Sequence, residues 1–193
     1  MLLDSGAEIN RPNISNITPL FYAISRGRSE VAEILLARAA DPNPPATVVG
    51  YEDLTLLHLA CQNGNHKIVS GLIDNGAVLD AVDKRGVTAL YLSMEKEHNN
   101  IFHLLLEKGA SVNPPNYGGF ALLKLAVDMN KMYLLNELLD NGGMASFMNE
   151  KQETVMHYCC QNNKLFAAAT FIDRNADVLI KNQVIGNFGY FVW

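Results

Sequence analysis

Five side chains in this sequence have the chemistry of a reactive site: His58, Cys61, His157, Cys159 and Cys160. Imidazoles and thiolates are the donors of mixed Cys/His zinc centres, which need four of them converging on one point. His157, Cys159 and Cys160 fall within about one helical turn, but residues one to three apart on a helix project in different directions. His58 and Cys61 stand far earlier in the chain, so convergence depends on the elements between. No serine or cysteine nucleophile with a positioned base is visible. His66, His98 and His103 are scattered. Gly118-Gly119 lacks the GxxxxGK pattern of a phosphate loop, and Glu95, Lys96 and Glu97 alternate in sign like a solvated turn. The residue types therefore predict no catalytic residue, no metal and no cofactor.

The elements that would position these residues follow a repeat, which governs any other reading of the chain. Thr55-Leu56-Leu57-His58-Leu59-Ala60 returns from Thr88, from Ala121 and from Thr154 at intervals of 33 residues, and an earlier copy at Thr18 lies 37 residues before Thr55. Two positions after the threonine stands a large apolar residue: Leu20, Leu57, Leu90, Leu123 or Met156. Five positions after it stands a small one: Ala23, Ala60, Ser93, Ala126 or Cys159. Apolar pairs follow at Val31-Ala32 and Leu35-Leu36, with counterparts in every copy, and their spacing is helical. Each unit thus predicts a short first helix and a longer second one. Gly27, Gly64, Asn130 and Asn163 mark the end of the first helix, and Gly76, Gly109 and Gly142 the end of the second. Glycine and asparagine both tolerate the left-handed cap. Thr18-Pro19 reads as a helix start, with a capping hydroxyl and then a residue that has no N–H to lose.

Thr-Pro-Leu-x-x-Ala, the turn glycine, the apolar second helix and tails such as Gly76-Ala77-Val78-Leu79-Asp80 and Gly109-Ala110-Ser111-Val112-Asn113 resemble the ankyrin repeat. The resemblance implies an all-α solenoid of helix–turn–helix units joined by β-hairpin-like loops. One array fills residues 1–193: a partial repeat at 1–10, repeats at 14–46, 51–83, 84–116, 117–149 and 150–182, and a partial repeat or tail at 183–193. Departures gather late in the chain. Glu97 replaces a glycine, Ala121 replaces the threonine, and the last copy lacks both glycines, so the later repeats are expected to be less regular. With helices packing about 8–10 Å apart, Cys61 and His157, three repeats apart, lie on the order of 30 Å from one another, which argues against a shared metal site. The family's histidine position holds His58 and His157, where a hydrogen bond to a neighbouring turn is expected.

Apolar residues make up 49% of the chain, enough for a continuous stacked core, in which each buried leucine or isoleucine contributes roughly 1.5–3 kcal/mol. The formal charge of −5 argues against general nucleic-acid binding, and no apolar run reaches the length of a membrane span. Three scattered cysteines do not form a disulfide framework, so an intracellular location, cytoplasmic or nuclear, is expected. Met1–Ala7 reads as the tail of a second helix. Phe188–Trp193 stands where another unit would begin. Neither end resembles the polar capping unit of an array, which suggests a piece of a longer protein; the alternative is an aromatic tail folded over the last repeat.

The resemblance implies that a partner protein binds at the hairpin tips before each threonine and along the exposed end of the first helix. Apolar Ile17, Leu54, Val87 and Phe120 precede successive threonine positions, Tyr51 and Tyr117 flank the row, and Lys84 and Arg85 form a basic spot. Met129 lies at the first-helix end. Lines of exposed apolar groups mark interfaces, and aromatic anchors are typical of hot spots. These residues predict a ligand with apolar anchors and an acidic residue; the bland alternative is that they only pack along neighbouring hairpins. The function expected is that of a scaffold or adaptor. The alternative is a targeting or substrate-recognition region of a larger enzyme, channel or ubiquitin-ligase adaptor. The loop at Pro44–Gly50, where four residues are inserted, is either part of that face or a tolerated length variant. The resemblance also makes Asn10, Asn43 and Asn113, each eight residues after a leucine, candidates for asparagine hydroxylation; a purely structural turn role is the more common case.

Overall fold

The structure, a computed structural model, describes residues 7–44, 53–114 and 118–174. Tyr51, Tyr117, most of the inserted loop, the start of the first partial repeat and the aromatic tail lie outside them. The described residues form ten helices in five pairs and two compact units, Met1–Ser111 and Val112–Trp193.

The first unit holds α1 (Pro19–Ser25), α2 (Ser29–Ala37), α3 (Leu56–Gln62), α4 (His66–Asp74), α5 (Ala89–Glu95) and α6 (Asn99–Glu107). Within it α3 packs on α1 and on α5, and α4 packs on α2 and on α6. First helices therefore stack on first helices and second helices on second. The second unit holds α7 (Gly118–Asp128), α8 (Met132–Asp140), α9 (Val155–Gln161) and α10 (Leu165–Asp173), with α7 against α9 and α8 against α10.

The expected signals act where they were read. Thr18, Thr55 and Thr88 are extended N-caps, and their hydroxyls accept from the backbone N–H three residues on. The small positions Ala23, Ala60, Ser93, Ala126 and Cys159 are 3% exposed or less, which lets helices approach closely. First helices end on left-handed residues: Gly27, Gly64, Asn130 and Asn163, and Glu97 at φ 61°, which departs in residue type and not in conformation. A second ladder joins neighbouring turns. Asn10 Oδ1 accepts from the Asp41 N–H at 2.8 Å, Asn43 bridges the Gly76 carbonyl and the Val78 N–H, and Asp80 accepts from the Ser111 N–H. In the second unit Asn113 makes the same bridge to Gly142 and Met144.

The fourth copy differs. α7 runs for eleven residues, whereas the other first helices have seven, and it starts at Gly118, before the position where Ala121 replaces the threonine. Without a capping hydroxyl at 121 nothing stops the helix from extending backwards. The glycines make room: a Cβ on Gly119 would sit 2.7 Å from the Phe147 ring.

Second helices end on Gly76 at φ 89°, but on Ala39 at φ 56° in the first pair. A left-handed conformation costs an alanine roughly 1–2 kcal/mol, which exceeds the chain entropy that glycine gives up. Ala39→Gly should therefore raise stability by about 0.5–1 kcal/mol and Gly76→Ala should lower it by a similar amount. Urea midpoints of the two variants check this, and shifts of the same sign would contradict it.

Candidate protein-binding surface

Of the five reactive side chains, four are buried or hydrogen-bonded within the fold and Cys160 is exposed. His58 is buried, and its Nδ1 accepts from the Thr55 N–H at 3.1 Å, closing a reciprocal cap on α3. The ring proton then sits on Nε2, which donates to the Val87 carbonyl of the next hairpin at 3.1 Å. His58 thus has no nitrogen left for a metal. His157 makes the same Nδ1 cap on α9 with Thr154. Burial pushes the Cys61 and Cys159 thiols up to about 12, so neither forms a thiolate near neutral pH. Among the described residues no three His, Cys, Asp or Glu side chains converge as metal ligands.

What remains accessible is the row of hairpin tips, and its geometry comes from residues that the spacing of the chain also encodes. Five positions before the threonine stand Asn13, Asp83 and Asn149. Asp83 Oδ1 accepts from the Arg85 N–H at 2.8 Å and the Val87 N–H at 3.1 Å, while the Asp83 N–H donates to the Val87 carbonyl. Asn13 holds Ser15 and Ile17 in the same way, and Asn149 holds Lys151 and Glu153. Two positions before the threonine, Asn16, Asp53, Gly86 and Gln152 are all left-handed. The tips at 13–17, 83–87 and 149–153 are thus closed turns with their backbone held by these bonds. Burial raises the affinity of the Asp83 carboxyl for a proton, but the Val87 and Arg85 N–H groups and the Arg85 guanidinium outweigh it and hold the group below the usual carboxylate range.

On this frame Lys84 is exposed, and among the described residues no ion pair or hydrogen bond holds its ammonium. Arg85 is half exposed, with Nε on Asp83 Oδ2 at 3.1 Å. Ile17, Leu54 and Val87 are half-buried, neither free nor sealed, and Met129 is half-buried as well. Phe120 departs from the expectation: it is 6% exposed inside α7, because the helix that extends past Ala121 carries it into the core. Tyr51 and Tyr117 lie outside the described residues. Asn10 and Asn43 are exposed and Asn113 is half-buried, with their side chains engaged in the turn ladder. At the first-helix ends Arg26, Asn63, Lys96 and Asp128 are exposed. In the second unit Asp128 pairs with Lys124 and accepts from the Tyr158 hydroxyl, and Lys124 Nζ lies 4.5 Å from the Tyr158 ring centre. Sequence reasoning missed that cluster because Lys124 replaces the histidine and Tyr158 belongs to the following copy.

Family models described as ankyrin repeats match residues 45–116 (three copies) and 1–36 (many copies). The human ankyrin repeat and KH domain-containing protein 1 is 35% identical over 86 residues, 45% of this chain and 3% of that protein. The putative ankyrin repeat protein FPV223 of fowlpox virus is 30% identical over 86 residues, which span 45% of this chain and 57% of that protein. The chain spans only 3% to 12% of the first curated relatives it matches. The crystal structure of the ankyrin repeat domain of Bcl-3 superposes with a TM-score of 0.77 at 26% identity, covering 94% of this chain and 80% of that one.

Two outcomes follow from the geometry. Burial, opposed by the Val87 carbonyl, holds the His58 imidazole below its ordinary value. Below about pH 6.5 the unfolded chain takes up a proton that the folded state resists. The stability His58 contributes is therefore complete above that pH and is lost as pH falls through the folded value. Chemical denaturation between pH 7 and 5 should show this decline, and His58→Gln should remove it. At the tip, Asn13 and Asn149 already do with an amide what Asp83 does with a carboxylate. Asp83→Asn should cost about 1 kcal/mol or less, while Asp83→Ala, which strands two N–H groups, should cost about 2–3 kcal/mol. Equal losses in thermal melts would show that the turn bonds do not set the tip.

Proposed function

Because the chain belongs to the ankyrin repeat family, we propose that it grips a partner protein along its hairpin tips and first-helix ends as a scaffold or adaptor, without transforming it. Ankyrin repeats are protein–protein interaction modules, and the fold is generally non-catalytic. The finer reading rests on one observation. Asp83 fixes the turn that presents an exposed Lys84 and a half-exposed Arg85 beside half-buried Val87. Cations on a turn held in place before binding, next to apolar surface, suit a partner segment with an acidic residue and an apolar anchor. Ile17 and Leu54 extend the apolar contact in the first unit, where Tyr51 is proposed to join it, and Met129 and Tyr117 are proposed as partner-binding residues of the second unit. Phe120 supports the fold instead. Among the described residues no helix is long and apolar enough to cross a membrane, and an intracellular, cytoplasmic or nuclear setting fits free Cys61, Cys159 and Cys160.

A second reading is favoured by the length of the relatives. The match to a nematode homologue of transient receptor potential cation channel subfamily A member 1 is 33% identical over 86 residues but spans 7% of that protein. The array would then be the recognition region of a longer chain such as an enzyme, a channel or a ubiquitin-ligase adaptor. Either way the tips bind. Affinity capture with this chain as bait should lose its main partner when Lys84→Glu and Arg85→Glu are combined, with the helical circular dichroism unchanged. A partner retained by that variant would overturn the tip assignment.

A further inference from the structure

The ladder that ties one turn to the next runs through a chemically labile pair. Asparagine precedes glycine at Asn63-Gly64, Asn75-Gly76 and Asn141-Gly142. Glycine has no side chain to shield its backbone nitrogen, so in this pair that nitrogen most readily attacks the asparagine side chain. The three asparagines are the C-caps of α3, α4 and α8, and the glycine after each is left-handed.

The fold treats the three pairs differently. Asn63 Nδ2 reaches across to the Ile24 carbonyl of the preceding pair at 3.2 Å. The His98 ring lies over Gly64, where an added Cβ would meet it at 2.6 Å. Asn75 and Asn141 are exposed and donate within their own helices, to the Gly71 carbonyl at 2.8 Å and the Glu137 carbonyl at 2.9 Å. A Cβ built on Gly76 or Gly142 would meet no described atom within 4 Å. The N–H groups of Gly76 and Gly142 donate to the Ile73 and Leu139 carbonyls at 2.9 and 3.0 Å. These bonds sit in the last turn of exposed helix ends, which fray at little cost. Opening that turn frees both the glycine nitrogen and the asparagine side chain in uncrowded space.

We propose that Asn75 and Asn141, one in each unit, are sites of spontaneous deamidation, and that their conversion unlocks the turn ladder. In the opened turn the glycine nitrogen gives up its proton and forms a bond to the asparagine Cγ. The Cγ–nitrogen bond of the side-chain amide breaks and ammonia leaves. Water then opens the resulting cyclic imide at either carbonyl, giving aspartate or isoaspartate. Either product places a carboxylate at the negative end of a helix, beside Asp74 or Asp140. Isoaspartate also inserts a methylene into the main chain just before Gly76 or Gly142. The carbonyls of those glycines are the ones that Asn43 Nδ2 and Asn113 Nδ2 hold, at 2.9 and 2.8 Å. A shifted carbonyl breaks that bond and loosens the paired one, from the Val78 or Met144 N–H to the same asparagine. The step is one-way, so each conversion leaves a permanent mark of a turn that has opened.

The test ages the full chain in mildly alkaline buffer and follows each asparagine by peptide mass spectrometry, with isoaspartate identified by methyltransferase labelling. Asn75 and Asn141 should convert about tenfold faster than Asn63 or more. The acidic species separated by ion exchange should unfold at a lower urea concentration than the fresh chain. Its Val78 and Met144 N–H groups should exchange faster with deuterium. The Asn75→Gln/Asn141→Gln variant should form little of that species. Equal conversion of all three pairs would show that the sequence alone sets the rate and would overturn the proposal. So would no conversion of Asn75 or Asn141 in the folded chain. An acidic species with unchanged urea midpoint and exchange would show that the ladder survives, and would overturn the unlocking.

Discussion

Each helical pair is apolar on two opposite faces, and only another helix can cover them. That constraint organises the molecule. A single pair of seven- and nine-residue helices is too short to persist alone, and its stability comes from side chains that neighbouring pairs enclose. Leu57, Leu90, Ile68, Ile101 and Leu72 are at most 2% exposed because they sit between pairs. The small residue five positions after the threonine follows from the same requirement, since a larger side chain there would hold the neighbouring first helix away. Stability in such an array is a sum over nearest neighbours, so the surface each pair leaves uncovered is set by what adjoins it and not by its own sequence alone.

The polar residues solve a different problem, which is to close the turns between pairs without a sheet. The bridge from Met148 to Thr154 is the sole strand-like pairing among the described residues. The turns are built from side chains instead. Asn13, Asp83 and Asn149 gather two N–H groups each, and Asn43, Asp80 and Asn113 tie one turn to the next. His58 couples the two systems, since one nitrogen caps its own helix while the other holds the following tip. At these three tips the backbone donors are satisfied by Asn13, Asp83 and Asn149, of which Asp83 is itself buried.

Most of this framework was legible in the sequence because a period multiplies weak signals. One threonine before an apolar run means little, but in-phase copies fix helix starts, and the residues nine positions later fix helix ends even when glutamate or asparagine replaces glycine. Legibility failed where a copy departed from the pattern. Ala121 was read as a degraded cap within an unchanged frame; in fact its lack of a hydroxyl let α7 begin at Gly118 and carried Phe120 inward. The turn-closing residues five positions before the threonine were in register and went unread, because their role is to gather backbone N–H groups, which no hydrophobic period reports.

The same arrangement takes up several of the residues that resemble a reactive site. A catalytic or metal-binding histidine needs one nitrogen free and the other oriented, whereas His58 uses both on the backbone. A reactive cysteine needs a stabilised thiolate, whereas burial drives Cys61 and Cys159 in the opposite direction. The enclosure that stabilises the stack is therefore also what takes up His58, Cys61 and Cys159. What stays outside, among the described residues, is an edge of charged and half-buried side chains on turns whose backbone is held by Asn13, Asp83 and Asn149.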